Sequence, residues 1–167
     1  FFANLTIGAG AVAWSIAHRD LVDKDCPVLG SWATETDTSH NELCEGDVSG
    51  NDLIMQTDSE ELLHAGISVA KRAWAKFLKI QDWKPENPEL VITHQVGKAH
   101  TQAVLKALSV DPVINFSSFE HLGNCGSVSL PITYTLACEK DSKNIFRKTA
   151  LLGIGSGLSS LMLAINP

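Results

Sequence analysis

The feature that most restricts the fold is the order of patterns between Thr57 and Leu108. Thr57, Asp58, Ser59, Glu60 and Glu61 supply hydroxyl and carboxylate caps with acids in a first turn, and Leu62, Leu63, Ile67, Ala70, Trp74, Phe77 and Leu78 follow at helical spacing. That predicts an amphipathic helix of about five turns. Pro85 and Pro88 end it, the unbroken run Leu90 to Thr93 reads as a buried strand, and Lys98 to Leu108 reads as a second helix stopped by Asp111 and Pro112. Helix, strand and helix in close succession imply a sheet covered by helices, an α/β layered fold.

The flanks extend this pattern. Leu5 to Ala17 and Pro27 to Thr36 are strand-like, and the polar Asp20 to Asp25 segment between them predicts a long-looped hairpin. Thr36 to Thr57 is polar and aperiodic, so it reads as an excursion loop. A short strand is expected near Val113 to Phe116 and a third helix from near Cys125. Two apolar strands, Thr149 to Gly155 and Leu158 to Ile165, are expected around a Gly-rich turn.

Composition narrows the function classes. A net charge of -6 and a pI near 5.4, with no Lys/Arg cluster, exclude recognition of nucleic-acid phosphates as the expected role. Cys26, Cys44, Cys125 and Cys138 are too irregular for a disulfide framework, which favours a reducing compartment and a cytoplasmic location. Phe1 to Ala17 is apolar but lacks a basic lead-in, so it reads as a strand rather than a signal peptide. Ala150 to Ile165 is short for a membrane span and is interrupted by Ser156, Ser159 and Ser160.

Three pieces stand where strands stop: His94 after Val91, Ile92 and Thr93; Asn124 in HLGNCG; and GIGSG from Gly153 to Gly157. In open α/β sheets, strand ends are where ligands and catalytic groups collect. Each piece also has a plain structural reading. A lone His is commonly a hydrogen-bonded structural group, Gly123 and Asn124 suit a turn, and GIGSG lacks dinucleotide-binding spacing. His40 with Cys44, or His121 with Cys125, lacks the second pair that makes metal spacing specific, so no metal is expected. Cys125 with His94 as base is a possible nucleophile pair, against the commoner reading of a small packed Cys.

Together these pieces resemble the C-terminal half of the thiolase-fold condensing enzymes of the β-ketoacyl-ACP synthase III (KAS III) type. That family has a His-Gln pair at a strand end, a Gly-Asn pair about thirty residues on before a Pro-containing helix, and a closing Gly-x-Gly strand turn. The counterparts here are His94 and Gln95, Gly123 and Asn124 with Pro131, and Gly155, Ser156 and Gly157. TIGAGAVAW, Thr6 to Trp14, resembles the family's G-D-G-A-G-A strand, with VLGSWATET as its hairpin partner. HQVGKAHT and LLGIGSGL resemble the branch that joins two fatty acyl-CoA chains head to head on the way to long-chain olefins. Two departures are Ala9 in place of the usual acid and Gly97 in place of a common Asn.

The resemblance implies that residues 1–57 are the terminal hairpin and excursion loop of the N-terminal thiolase-like half, and residues 58–167 the C-terminal half. It implies a Claisen condensation of acyl thioesters, with acyl-CoA or acyl carrier protein as substrate and no cofactor. His94 and Asn124 would be side-chain donors to the developing oxyanion, and the Ser156 backbone N–H a second oxyanion hole. Gly123, Gly155 and Gly157 would be supporting turns, and Lys98 a weak contact for CoA or carrier. The nucleophilic Cys would lie outside this chain, which would be inactive without the N-terminal half, its expected partner along with a second copy in a homodimer. Two alternatives carry other chemistry: a non-catalytic acyl-CoA or acyl-carrier binding module, and a thioester hydrolase using Cys125 and His94.

Overall fold

A computed structural model of the chain describes residues 6–49, 52–155 and 157–167. Its centre is a four-stranded mixed sheet of β1 (Val28–Thr36), β4 (Leu90–Thr93), β5 (Thr149–Gly155) and β6 (Ser159–Asn166), in the order β1-β6-β5-β4. β4 and β5 are parallel, while β5 and β6 form the antiparallel hairpin read from the Gly-rich turn. A separate two-stranded ribbon joins β2 (Cys44–Ser49) and β3 (Asp52–Thr57).

The helices are α1 (Ser59–Gln81), α2 (Lys98–Ala107), the single turn α3 (Phe119–Leu122) and α4 (Ser129–Lys140). Asp58 caps α1 by accepting from the Glu61 N–H at 3.0 Å, as the sequence pattern requires. Pro131 falls in the first turn of α4, where a missing N–H costs no helical bond.

The sheet is buried on two faces. On one, Ala70, Ala73, Trp74 and Phe77 of α1 pack with Leu105 of α2 on Val91, Ala150, Leu152 and Met162. On the other, Tyr134 and Ala137 of α4 pack on Leu90, Ile92, Leu151 and Ile165. Every residue of β4 is buried, which explains its unbroken apolar run.

Three expectations differ from the structure. Residues 8–18 form no strand, so no hairpin joins them to β1; β1 pairs instead with β6, from Val28 opposite Asn166 to Thr36 opposite Ser159. Side chains rather than a ladder hold the early segment: the Trp14 indole N–H donates to Thr135 Oγ1 at 3.3 Å, and its ring meets Tyr134 edge-on. The excursion loop contains the β2–β3 ribbon, whose six rungs are formed by backbone pairing with little side-chain periodicity to announce it. Near Val113 to Phe116 there is a 3-10 turn (Pro112–Ile114) and one bridge, Val91 with Asn115. Pro112 removes a donor, and Asp111 turns the chain by accepting from the Val113 N–H at 2.9 Å.

Candidate active site

Two chain segments bring polar side chains to one cavity. The first leaves β4. The parallel ladder runs one rung past the strand, with His94 N–H donating to Leu152 O at 2.8 Å, so the backbone at His94 is as fixed as the sheet. Gln95 is then turned inward and almost wholly buried. Its Nε2 donates to Thr93 O at 2.6 Å, and its Oε1 accepts from Ser117 Oγ at 2.7 Å and Ser118 N–H at 3.0 Å. All of its strong polar groups are engaged, which makes burial of an amide tolerable.

The second segment is the turn from Leu122 to Gly126. Gly123 has φ +66, a left-handed conformation that suits glycine, and a Cβ there would lie 2.5 Å from Thr6 O. The approach is mutual, because a Cβ on Gly8 would fall onto Leu122 O. Asn124 N–H donates to Thr6 O at 2.7 Å and Gly8 N–H donates to Asn124 O at 2.8 Å, locking the early segment to the turn as a short parallel bridge. The Asn124 carboxamide oxygen accepts from Gly126 N–H at 2.9 Å. That bond fixes which end of the amide is oxygen and leaves the NH2 as the group to be offered elsewhere.

His94 and Asn124 both line a cavity of about 590 Å³. Its walls are apolar: Leu62, Leu63 and Ile67 of α1, Val104 of α2, Leu130 of α4 and Leu158 before β6. Gly153 and Gly155 line it from β5. On the far side of the hairpin turn, Asp37 and Leu158 exchange two backbone hydrogen bonds, of 2.8 and 2.7 Å. The volume lies within the usual range for a small-molecule site.

The sequence reading did not single out His100, which also lines the cavity from α2. Burial holds the His100 imidazole below the ordinary histidine value. Burial does the same to His94, and His100 beside it adds charge repulsion in the same direction. Both rings are therefore held toward the neutral form, in which one nitrogen donates and the other accepts. A His six residues beyond the first, in the first turn of the predicted helix, was the available signal. The wall residues of α1 were legible only as a generic apolar stripe.

Other candidates fall outside the cavity. Cys125 does not line it; its thiol donates to Leu122 O at 3.3 Å and packs near Gly8. The pairing of Cys125 with His94 as nucleophile and base therefore has no geometric support. Lys98 is exposed and also outside the lining. Gly157 has φ +117 in the hairpin turn, where only glycine is comfortable, but does not line the cavity. Ser156 lies outside the described residues. Cys26, Cys44, Cys125 and Cys138 form no disulfide. Among the described residues no helix is long and apolar enough to cross a membrane.

Comparison with known proteins identifies the family. Residues 78–166 match the family described as 3-oxoacyl-[acyl-carrier-protein (ACP)] synthase III C terminal. Over 172 aligned residues the chain is 36% identical to the acyl-CoA:acyl-CoA alkyltransferase of Shewanella oneidensis, covering 98% of this chain and 49% of that one. It superposes on a variant of OleA from Xanthomonas campestris, solved with bound lauric acid and lauroyl-CoA, with TM-score 0.78 and 32% identity over 90% of this chain and 43% of that one. It superposes equally on the 3-oxoacyl-(acyl carrier protein) synthase III, FabH, of Xanthomonas oryzae, with TM-score 0.79, 31% identity and the same coverage. The chain spans about half the length of the curated relatives it matches. With the family model covering more than half of its residues, the chain belongs to the 3-oxoacyl-ACP synthase III C-terminal family of thiolase-fold condensing enzymes.

Proposed function

We propose that this chain supplies the oxyanion-stabilising half of an enzyme that condenses two acyl thioesters, with acyl-CoA as substrate. The observation that carries the reading is the convergence of His94 and Asn124, from two separate segments, on one apolar cavity. A Claisen condensation places negative charge on a thioester oxygen as the enolate forms. Donors already in position need not reorganise during the reaction, and one such donor typically lowers the barrier by about 3 kcal/mol. The neutral His94 ring and the Asn124 NH2 are two such donors, and the largely apolar cavity walls suit alkyl chains. A second oxyanion hole at the Ser156 N–H, flanked by Gly155 and Gly157, completes the proposal.

The chemistry also requires a thiolate nucleophile. We assign it to the other half of the enzyme, since the relatives are about twice as long as this chain. We further propose that residues 58–167 form the C-terminal thiolase-like half and that residues 1–57 end the N-terminal half, lending β1 to the common sheet. A homodimer, a cytoplasmic location, a role in fatty-acid metabolism, a CoA contact at Lys98 and the absence of any cofactor belong to the same proposal.

The test is acyl-CoA condensation by the chain joined to its N-terminal half, with His94→Ala and Asn124→Ala alongside. Each substitution should lower turnover by a factor on the order of 10² to 10³ with the fold intact. Acyl-CoA binding without condensation in the joined protein would overturn the enzyme reading in favour of a binding module. Full turnover in both variants would overturn the site assignment.

A further inference from the structure

The buried polar groups behind the cavity form one continuous string. Gln95, Ser118, Thr133 and Ser129 are each at most 4% exposed. Gln95 Oε1 accepts from Ser118 N–H at 3.0 Å, and the Ser118 and Thr133 hydroxyls are 2.6 Å apart. The one Thr133 hydroxyl proton is donated to Ser129 O at 2.6 Å, so Ser118 Oγ donates to Thr133. Ser129 Oγ in turn accepts from Cys125 N–H at 3.0 Å.

The ends of this string are informative. It starts at the residue after His94 and finishes at the residue after Asn124, crossing from the β4 exit through the Ser117–Ser118 loop into α4. Backbone bonds fix each segment to its own neighbours, His94 to β5 and Asn124 to the Thr6–Gly8 segment. The string ties the two segments to each other. Small apolar side chains would fill the same space, whereas a fully satisfied polar chain defines distances and directions.

We propose that Gln95, Ser118, Thr133 and Ser129 are positioning residues that set the separation of the His94 and Asn124 donors across the cavity. The inference rests on the reading of those two side chains as paired oxyanion donors. Its experiment separates failure of the one from failure of the other.

Thr133→Val keeps the shape and removes the hydroxyl, and Thr133→Ser restores it. In the protein joined to its N-terminal half, Thr133→Val should shift the NMR resonances of the Asn124 side-chain NH2 and the His94 imidazole. It should lower kcat by about 10- to 100-fold with KM unchanged, as expected for donors displaced by a fraction of an ångström to an ångström. Thr133→Ser should recover both readouts. In an Asn124→Ala background, Thr133→Val should cost little more. Should Thr133→Val fail to fold, Ser129→Ala cuts only the last link, to Cys125 N–H, and the same readouts apply. Lower thermal stability with both resonances and kcat unchanged overturns the proposal, as does an equal loss of kcat in the two backgrounds. If Asn124→Ala alone leaves turnover intact, the oxyanion reading fails, and the resonances alone then decide whether the string positions Asn124.

Discussion

The His94 and Asn124 segments reach the same cavity by different constructions. His94 is carried by regular structure: a strand buried on both faces, a ladder bond beyond its last residue, and a helix that starts four positions later. Asn124 is carried by an irregular turn between two short helices. Its place is set by a segment more than a hundred residues earlier in the chain and by glycines that allow backbone to touch backbone. A donor on a strand end inherits the rigidity of the sheet. A donor on a turn depends on a few specific contacts, and each is a point of failure.

The sharpest way to break this contrast is to add a methyl group on either side of the contact that holds the Asn124 turn. Gly123→Ala combines a left-handed φ with a Cβ 2.5 Å from Thr6 O, and Gly8→Ala drives a Cβ into Leu122 O. Backbone is the obstacle in both, so neither can relax cheaply. Gly123→Ala should cost roughly 3 kcal/mol, combining about 1–3 for strain with about 1–3 for overpacking, and Gly8→Ala about 1–3 kcal/mol from overpacking alone. Thermal unfolding measures this, and hydrogen exchange should show lost protection at Asn124 N–H and Gly8 N–H. Undiminished protection in both variants would mean that the early segment does not hold the turn. On the other segment, Ile92→Val removes one methyl group from a fully buried strand position. It should cost only about 1 kcal/mol and leave His94 N–H protected, because the ladder survives small repacking.

The two constructions also explain what the sequence discloses. The capped helix at Asp58, the buried run Leu90 to Thr93 and the Gly-rich hairpin depend on local periods and caps, and all three form as read. His94 and Asn124 stood out because they interrupt such patterns. The misplaced pieces have causes far along the chain. Residues 8–18 have strand-like composition, but Trp14 and Gly8 are held by α4 and the Leu122–Asn124 turn, contacts that no local pattern encodes. His100 enters the cavity through the orientation of α2, and the Gln95 string is assembled from four separate stretches of chain. Individually, its Ser and Thr residues look like ordinary turn and helix residues.

A smaller effect reads the electrostatics of the His94 side. Its imidazole and that of His100 are both held below 6.5 in the folded protein. Below pH 6.5 the unfolded chain then binds protons that the folded chain resists, so the stability these rings contribute is complete above that pH and lost as pH falls through it. Denaturant unfolding between pH 7.5 and 5 should show this loss, and His100→Gln should reduce it twice over. It removes one titrating ring and relieves the repulsion on His94. An unchanged pH slope in His100→Gln would mean that His100 neither resists protonation in the folded protein nor acts on His94, whereas a loss of one ring's share alone would mean that the two rings do not interact.

The smallest effect lies at the start of α2. Gly97 is the N-cap of that helix, makes no side-chain capping bond, has extended φ of 164, and has nothing within 4 Å of where a Cβ would be. It is the glycine of this segment that the fold does not require. Gly97→Asn should therefore be accepted and should stabilise by a few tenths of a kcal/mol, through a carboxamide oxygen that accepts from a first-turn N–H. Thermal unfolding of Gly97→Asn beside Gly123→Ala sets the comparison on one scale, with a rise in Tm expected for the first and a large fall for the second. A fall of similar size in both would show that the His94 segment is as finely fitted as the Asn124 turn, and that the sheet does not confer the tolerance attributed to it.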